Sequence, residues 1–134
     1  MSGSVARLAR AIGYPEEIPA DAVSYALKVD GRSVVAHERD GLLTLTGTLA
    51  EDPDEATLVR FAGYAAGRIL REEAVLAWDP QSSSLMLWQG VSAASSEAVL
   101  TRFFEVFATS CDWWFARLDE EKAASAVPEM VIRP

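Results

Sequence analysis

Residues 55–72, Glu-Ala-Thr-Leu-Val-Arg-Phe-Ala-Gly-Tyr-Ala-Ala-Gly-Arg-Ile-Leu-Arg-Glu, separate the two halves of the chain and bear on its assembly. The stretch reads as a helix of about five turns, ~27 Å long. Asp54 stands where an N-cap belongs, and Pro53 blocks extension backwards. Steps of 100° per residue give two apolar stripes. Leu58, Phe61, Ala62, Ala65 and Ile69 form one, and Val59, Gly63, Ala66 and Leu70 form the other, with Gly67 at its margin. Arg60, Tyr64, Arg68 and Arg71 fill the remaining arc. One stripe suffices to seat a surface helix on a core. A second needs a second partner, either elsewhere in the same chain or on another subunit. Small residues at 63, 66 and 67 would let another backbone approach closely. Val59, Gly63, Ala66, Gly67 and Leu70 are therefore the candidate dimer interface.

Upstream of this helix the pattern changes to a period of two. Val23, Tyr25, Leu27 and Val29 alternate with polar or small residues, as in a half-buried strand. Asp30-Gly31 signals a hairpin because both positions tolerate positive φ, and Asp40-Gly41 repeats the signal. Residues 33–38 are the return strand and 42–49 the third, with Leu43, Leu45, Gly47 and Leu49 pointing inward. The three strands form an antiparallel meander. Before them, Val5, Leu8, Ala9 and Ile12 share a helical face, and Gly13 and Pro15 end that helix.

Downstream, 74–79 and 84–89 read as two more strands across a Pro80-Gln81-Ser82-Ser83 turn. Ser95 or Ser96 caps a last helix running to about Leu118. Its broad stripe holds Val99, Leu100, Phe103, Val106, Phe107, Ser110, Trp114 and Leu118. Residues 120–134 read as a flexible tail. The order α-β-β-β-α-β-β-α, without repeat or linker, predicts a single domain over 1–134. Its class is α+β: an antiparallel sheet of about five strands with three helices packed on it.

Composition narrows the function. The 134 residues are enough for one domain with a core. Twelve basic against 20 acidic residues give a net charge of -8, which opposes nonspecific nucleic-acid binding and attraction to an anionic membrane. One cysteine, Cys111, excludes an internal disulfide and suits a reducing compartment. No apolar run reaches the ~20 residues of a membrane span, and the N-terminus lacks a signal-peptide core. A cytoplasmic protein is expected.

A search for chemistry returns little. His37, the only histidine, shares a strand with Glu38, and ligands that alternate across a strand do not converge on a metal. Cys111 lies mid-helix among aromatic residues and reads as core. No Gly-rich turn joins a strand to a helix as a phosphate loop would. Trp113 and Trp114 are adjacent on a helix, so only one can face the core. No catalytic residue, cofactor or metal site is expected, and the chain reads as a binding protein rather than an enzyme.

The chain resembles the class I chaperones of bacterial type III secretion, the Tir-chaperone family, over roughly residues 5–118. The resemblance lies in the element order and in Leu43-Thr-Leu-Thr-Gly-Thr-Leu49, similar to the family's third strand. Ala74-Val-Leu-Ala-Trp-Asp79 and Leu85-Met-Leu-Trp88 are similar to its fourth and fifth strands, and Phe103, Phe107, Trp113 and Leu118 to its closing helix. Gly67-Arg68 stand where many members have Asn. The resemblance implies a homodimer built on the second helix and a neighbouring strand, and binding of the extended N-terminal segment of a secreted effector protein. It implies no cofactor and no turnover. A regulatory adaptor of the same fold, gripping a small regulator protein, is the alternative, and a small-ligand domain or enzyme a more distant one. With Leu43 and Leu45 turned inward, Leu42 and Thr44 face outward. With Val34 and Ala36 as expected neighbours, they form the candidate effector-binding surface.

Overall fold

The computed structural model describes residues 3–68 and 73–132, with side chains as far as Glu120. The elements are α1 (Ser4–Ala11), β1 (Ser24–Val29), β2 (Arg32–Arg39), β3 (Leu42–Glu51), α2 (Glu55–Arg68), β4 (Val75–Asp79), β5 (Ser84–Ser92) and α3 (Glu97–Ile132). All neighbouring strands pair antiparallel in the order β1-β2-β3-β5-β4. This is the α+β architecture with five strands and three helices that the sequence predicts.

Local chemistry accounts for the joints. Both hairpins turn on Asp-Gly pairs with positive φ throughout: Asp30 at 52° and Gly31 at 76°, Asp40 at 51° and Gly41 at 78°. Such turns match the right-handed twist of the strands they connect. Asp54 caps α2, its Oδ1 accepting the Thr57 N–H at 2.8 Å. Of the two serines before α3, Ser96 is the cap, its Oγ accepting the Val99 N–H at 3.3 Å.

The alternation in β3 is realised in full: Leu43, Leu45, Gly47 and Leu49 are buried. Their face meets Val5 and Leu8 of α1 and Leu100, Phe103, Phe107 and Trp114 of α3 in one core. Gly47 leaves room for α3, since a Cβ there would lie 3.7 Å from both Phe107 and the Cys111 Sγ.

Two residues leave the expected stripes. Ala62 and Val99 are exposed. In α2 the half-buried and buried positions are Thr57, Leu58, Phe61, Tyr64, Ala65 and Arg68, a seam that leaves Ala62 out. The helix leans on β4 and on the aromatic end of α3 instead of lying flat on the sheet. In α3, Val99 sits one residue before the seam that begins at Leu100 and is 46% exposed. The α3 backbone also runs on to Ile132, past the end expected near Leu118.

A carboxylate from the sheet completes the start of α1. The Gly3 N-cap has no side chain to offer, and Glu38 of β2 accepts the Ser4 N–H at 3.0 Å and also the Ser4 hydroxyl. These bonds hold the Glu38 carboxyl below its ordinary value of 4.5. A carboxylate with a depressed folded-state value stabilises above its unfolded value, and its contribution is lost as pH falls through the folded one. Helix α1 should therefore stay tethered at neutral pH and loosen only below pH 4.5. The Ser4 amide resonance should report a titration midpoint below that figure; a midpoint at or above it would show that the tether is not formed in solution.

Candidate partner-binding surfaces

The sheet has one face under α1 and α3 and one that no described helix covers. Strand register decides which residues belong to each. Val34 pairs with Gly47 and Ala36 with Leu45, so both lie on the core face, where they are 5% and 0% exposed. They cannot flank Leu42 and Thr44, which point the opposite way, and this corrects the surface expected from sequence. The true neighbours of Leu42 and Thr44 across the β2–β3 ladder are Arg39 and His37. The error is a shift of one residue in β2, which reverses every side chain of a strand.

A row of cross-strand partners crosses the open face: Ala26, Val35, Thr46, Trp88 and Val75, one from each strand. Val35 is 37% exposed and Val75 46%. Beside this row Leu42 is 40% exposed, and Thr44 is paired with Gly90. Gly90 gives the Trp88 indole its place. A Cβ at 90 would stand 2.9 Å from the Trp88 Cη2 and 3.3 Å from the Leu42 Cδ1, so indole and leucine meet over the bare backbone. Sequence reading placed Trp88 on the fifth strand and did not connect it with Leu42. The available signal was a glycine two residues after a tryptophan, on the same face of one strand. The result is a half-exposed apolar patch of Val35, Leu42, Trp88 and Val75, interleaved with threonines. Strands β1 and β4 are the sheet edges.

The second surface is the outward side of α2. Val59 is 66% exposed, and Gly63, Ala66 and Gly67 are exposed with it. Nothing lies within 4 Å of a Cβ built on Gly63 or Gly67. Leu70 is outside the described residues. The inward side is anchored by aromatic contacts. Phe61 meets Trp114 at 5.5 Å and Tyr64 at 5.7 Å between ring centroids, and Tyr64 meets Trp113 edge-on at 6.0 Å. Trp114 is buried. Trp113 is half-buried, with the guanidinium of Arg68 3.8 Å and that of Arg117 4.8 Å from its ring centre. The tryptophans thus divide as adjacent helical positions must. Tyr64, placed by periodicity on the polar arc, instead bridges the two helices.

His37 is exposed on the open face, where its carbonyl oxygen accepts the Thr44 hydroxyl at 3.2 Å. Cys111 is buried, and burial pushes its thiol up to about 11, away from thiolate reactivity. Among the described residues no cluster of three or more His, Cys, Asp or Glu is placed to hold a metal ion. No helix among them is long and apolar enough to cross a membrane.

No protein-family model matches the chain, and no curated protein is detectably similar to it in sequence. Solved structures are similar in fold. A chain of the HopA1–SchA chaperone–effector complex superposes with a TM-score of 0.63 at 17% identity, covering 83% of this chain and 89% of that one. A chain of the ExsC–ExsE complex gives 0.63 at 14%, covering 84% and 89%. A chain of the heterodimeric ExoU–SpcU complex from the type III secretion system of Pseudomonas aeruginosa gives 0.60 at 15%, covering 82% and 93%. At these identities the likeness establishes the fold, which is one found in type III secretion chaperone complexes.

Proposed function

We propose that this chain is a type III secretion chaperone that binds the N-terminal segment of a secreted effector as a homodimer and keeps it secretion-competent. The observation that carries this reading is the near-complete overlap, in both directions, with chains from chaperone–effector complexes. Two features of the molecule support it. A binding protein of this kind needs exposed apolar surface on a rigid scaffold, and the open sheet face supplies it. A dimer needs a self-complementary patch, and the outward stripe of α2 is small-residue, apolar and uncovered.

An extended effector segment would lie across the open face and seat apolar side chains on the Val35–Leu42–Trp88–Val75 patch. The partner is found first by mass spectrometry of what co-purifies from the native host. Its N-terminal peptide is then titrated by calorimetry against Val35→Asp/Leu42→Asp. Both positions are exposed, so the double variant should keep its circular-dichroism melt and lose at least tenfold in affinity. Unchanged affinity in the folded variant would exclude this face. Val34→Asp, in contrast, should unfold the protein, because it places an unpaired charge 5% exposed in the core.

A further inference from the structure

A third apolar feature lies on the side of the sheet that α3 covers, bordered also by Val35 and Thr46 of the open-face row. Between the β1–β2 hairpin and the middle of α3 runs a groove of about 390 Å³. Val29, Val34, Phe104, Phe107, Cys111 and Phe115 supply its apolar lining. On the helix it extends from Phe104 to Phe115, a span of ~16 Å at 1.5 Å rise per residue. An extended chain rises ~3.3 Å per residue, so the groove matches about five residues of strand.

The charged groups around it are Asp30, Arg32, Glu51 and Asp112. The one cation is already engaged: Arg32 Nη1 lies 2.9 Å from Asp112 Oδ1, and its guanidinium sits 4.0 Å from the centre of the Phe115 ring. Its ion pair accounts for Asp112 and leaves the carboxylates of Asp30 and Glu51 uncompensated by any cation of the lining. The chain as a whole carries -8, which adds to the field at the groove.

We infer that this groove binds an extended peptide segment of about five residues in which aliphatic side chains are flanked by lysine or arginine. Aliphatic side chains fill the Phe104–Phe107–Phe115 floor while the flanking cations meet Asp30 and Glu51. The inference rests on the reading of the chain as a partner-binding chaperone, and adds a sequence preference and a further location, on the α3 side of the sheet.

The test uses the full chain and synthetic peptides, so it does not depend on finding the natural partner. The probe is acetyl-Gly-Ile-Lys-Leu-Lys-Ser-amide, with one control in which both lysines are glutamate and another in which Ile and Leu are serine. Affinities are read from amide shifts at Gly47, Ala108 and Asp112. The lysine peptide should bind at least tenfold more tightly than either control, with the advantage over the glutamate peptide shrinking as salt is raised. Ala108→Phe projects a ring into the groove from a half-buried helix position and should abolish binding, with folding checked by its melt. Glu51→Lys, at an exposed strand end, should weaken the lysine peptide at least fivefold and requires no change in the core. Equal affinity for the lysine and glutamate peptides would overturn the inference, as would undiminished binding in both variants. Shifts at Gly47 and Ala108 that follow protein concentration without peptide would assign the groove to a second copy and equally overturn it. Failure to recover a secreted partner from the host would count against the chaperone reading alone, because the peptide affinities are measured independently of it.

Discussion

Phe107→Ala should lower the unfolding free energy by about 3–5 kcal/mol, the range for truncating a buried aromatic ring. Phe107 is 0% exposed at the centre of the α3 seam. Its ring faces Gly47, the one position of the β3 core row without a side chain, so the sheet backbone itself is the opposing wall. Three routes could soften the loss of a ring: collapse of the sheet, a shift of the helix, or entry of water. The sheet is held by paired strands on both sides of β3, and α3 is fixed by Leu100, Phe103 and Trp114, each nearly fully buried. Water would find an apolar site with few partners. The adjoining groove does offer one relief, because the lost volume merges with it rather than forming a closed void. The expected loss therefore falls in the lower half of the range. Urea melts of the variant and wild type measure it directly, and a difference under 1 kcal/mol would mean that the ring is not the keystone of this seam.

Ala66→Glu should abolish self-association. Ala66 is exposed at the middle of the outward stripe of α2, between Gly63 and the 67–70 segment. In a two-fold interface each substitution occurs twice, so two carboxylates would be brought together near the axis in a region from which water is excluded. Glutamate is a good helix former and Ala66 is exposed, so the protomer itself should fold normally. If the proposed dimer forms through α2, sedimentation should show a dimer for the wild type and a monomer for the variant. A variant that sediments as the wild-type dimer would remove α2 from the interface. This outcome would leave the peptide-binding surfaces untouched, since neither includes a residue of α2.

The two predictions stand on different kinds of legibility. Phe107 was identifiable in the sequence because helical periodicity collects Leu100, Phe103, Phe107 and Trp114 on one line, and a stripe that apolar has only one place to go. The outward stripe of α2 was identifiable for the same reason. That it is bare in the folded chain required coordinates, because periodicity reports which residues share a face and not what covers that face.

The strands show where this reasoning stops. Alternation in β3 assigned Leu43, Leu45, Gly47 and Leu49 to the core correctly, and the two Asp-Gly pairs located both hairpins. The run Ser33-Val-Val-Ala-His-Glu38 has apolar residues at successive positions, so period-two reading could not choose between Val34 and Val35 as the inward residue. Sequence thus determined the element order, the α+β class, the turn positions and the principal core line. Each follows from short-range stereochemistry: positive φ at Asp-Gly, the 3.6 and 2.0 residue periods, and capping by Asp54. Tertiary structure decided the rest: the phase of β2, the placement of β5 between β3 and β4, the meeting of Trp88 with Leu42 over Gly90, and the groove between hairpin and α3. Those depend on which side chains of distant strands and helices compete for the same volume, and a local pattern carries no record of that competition.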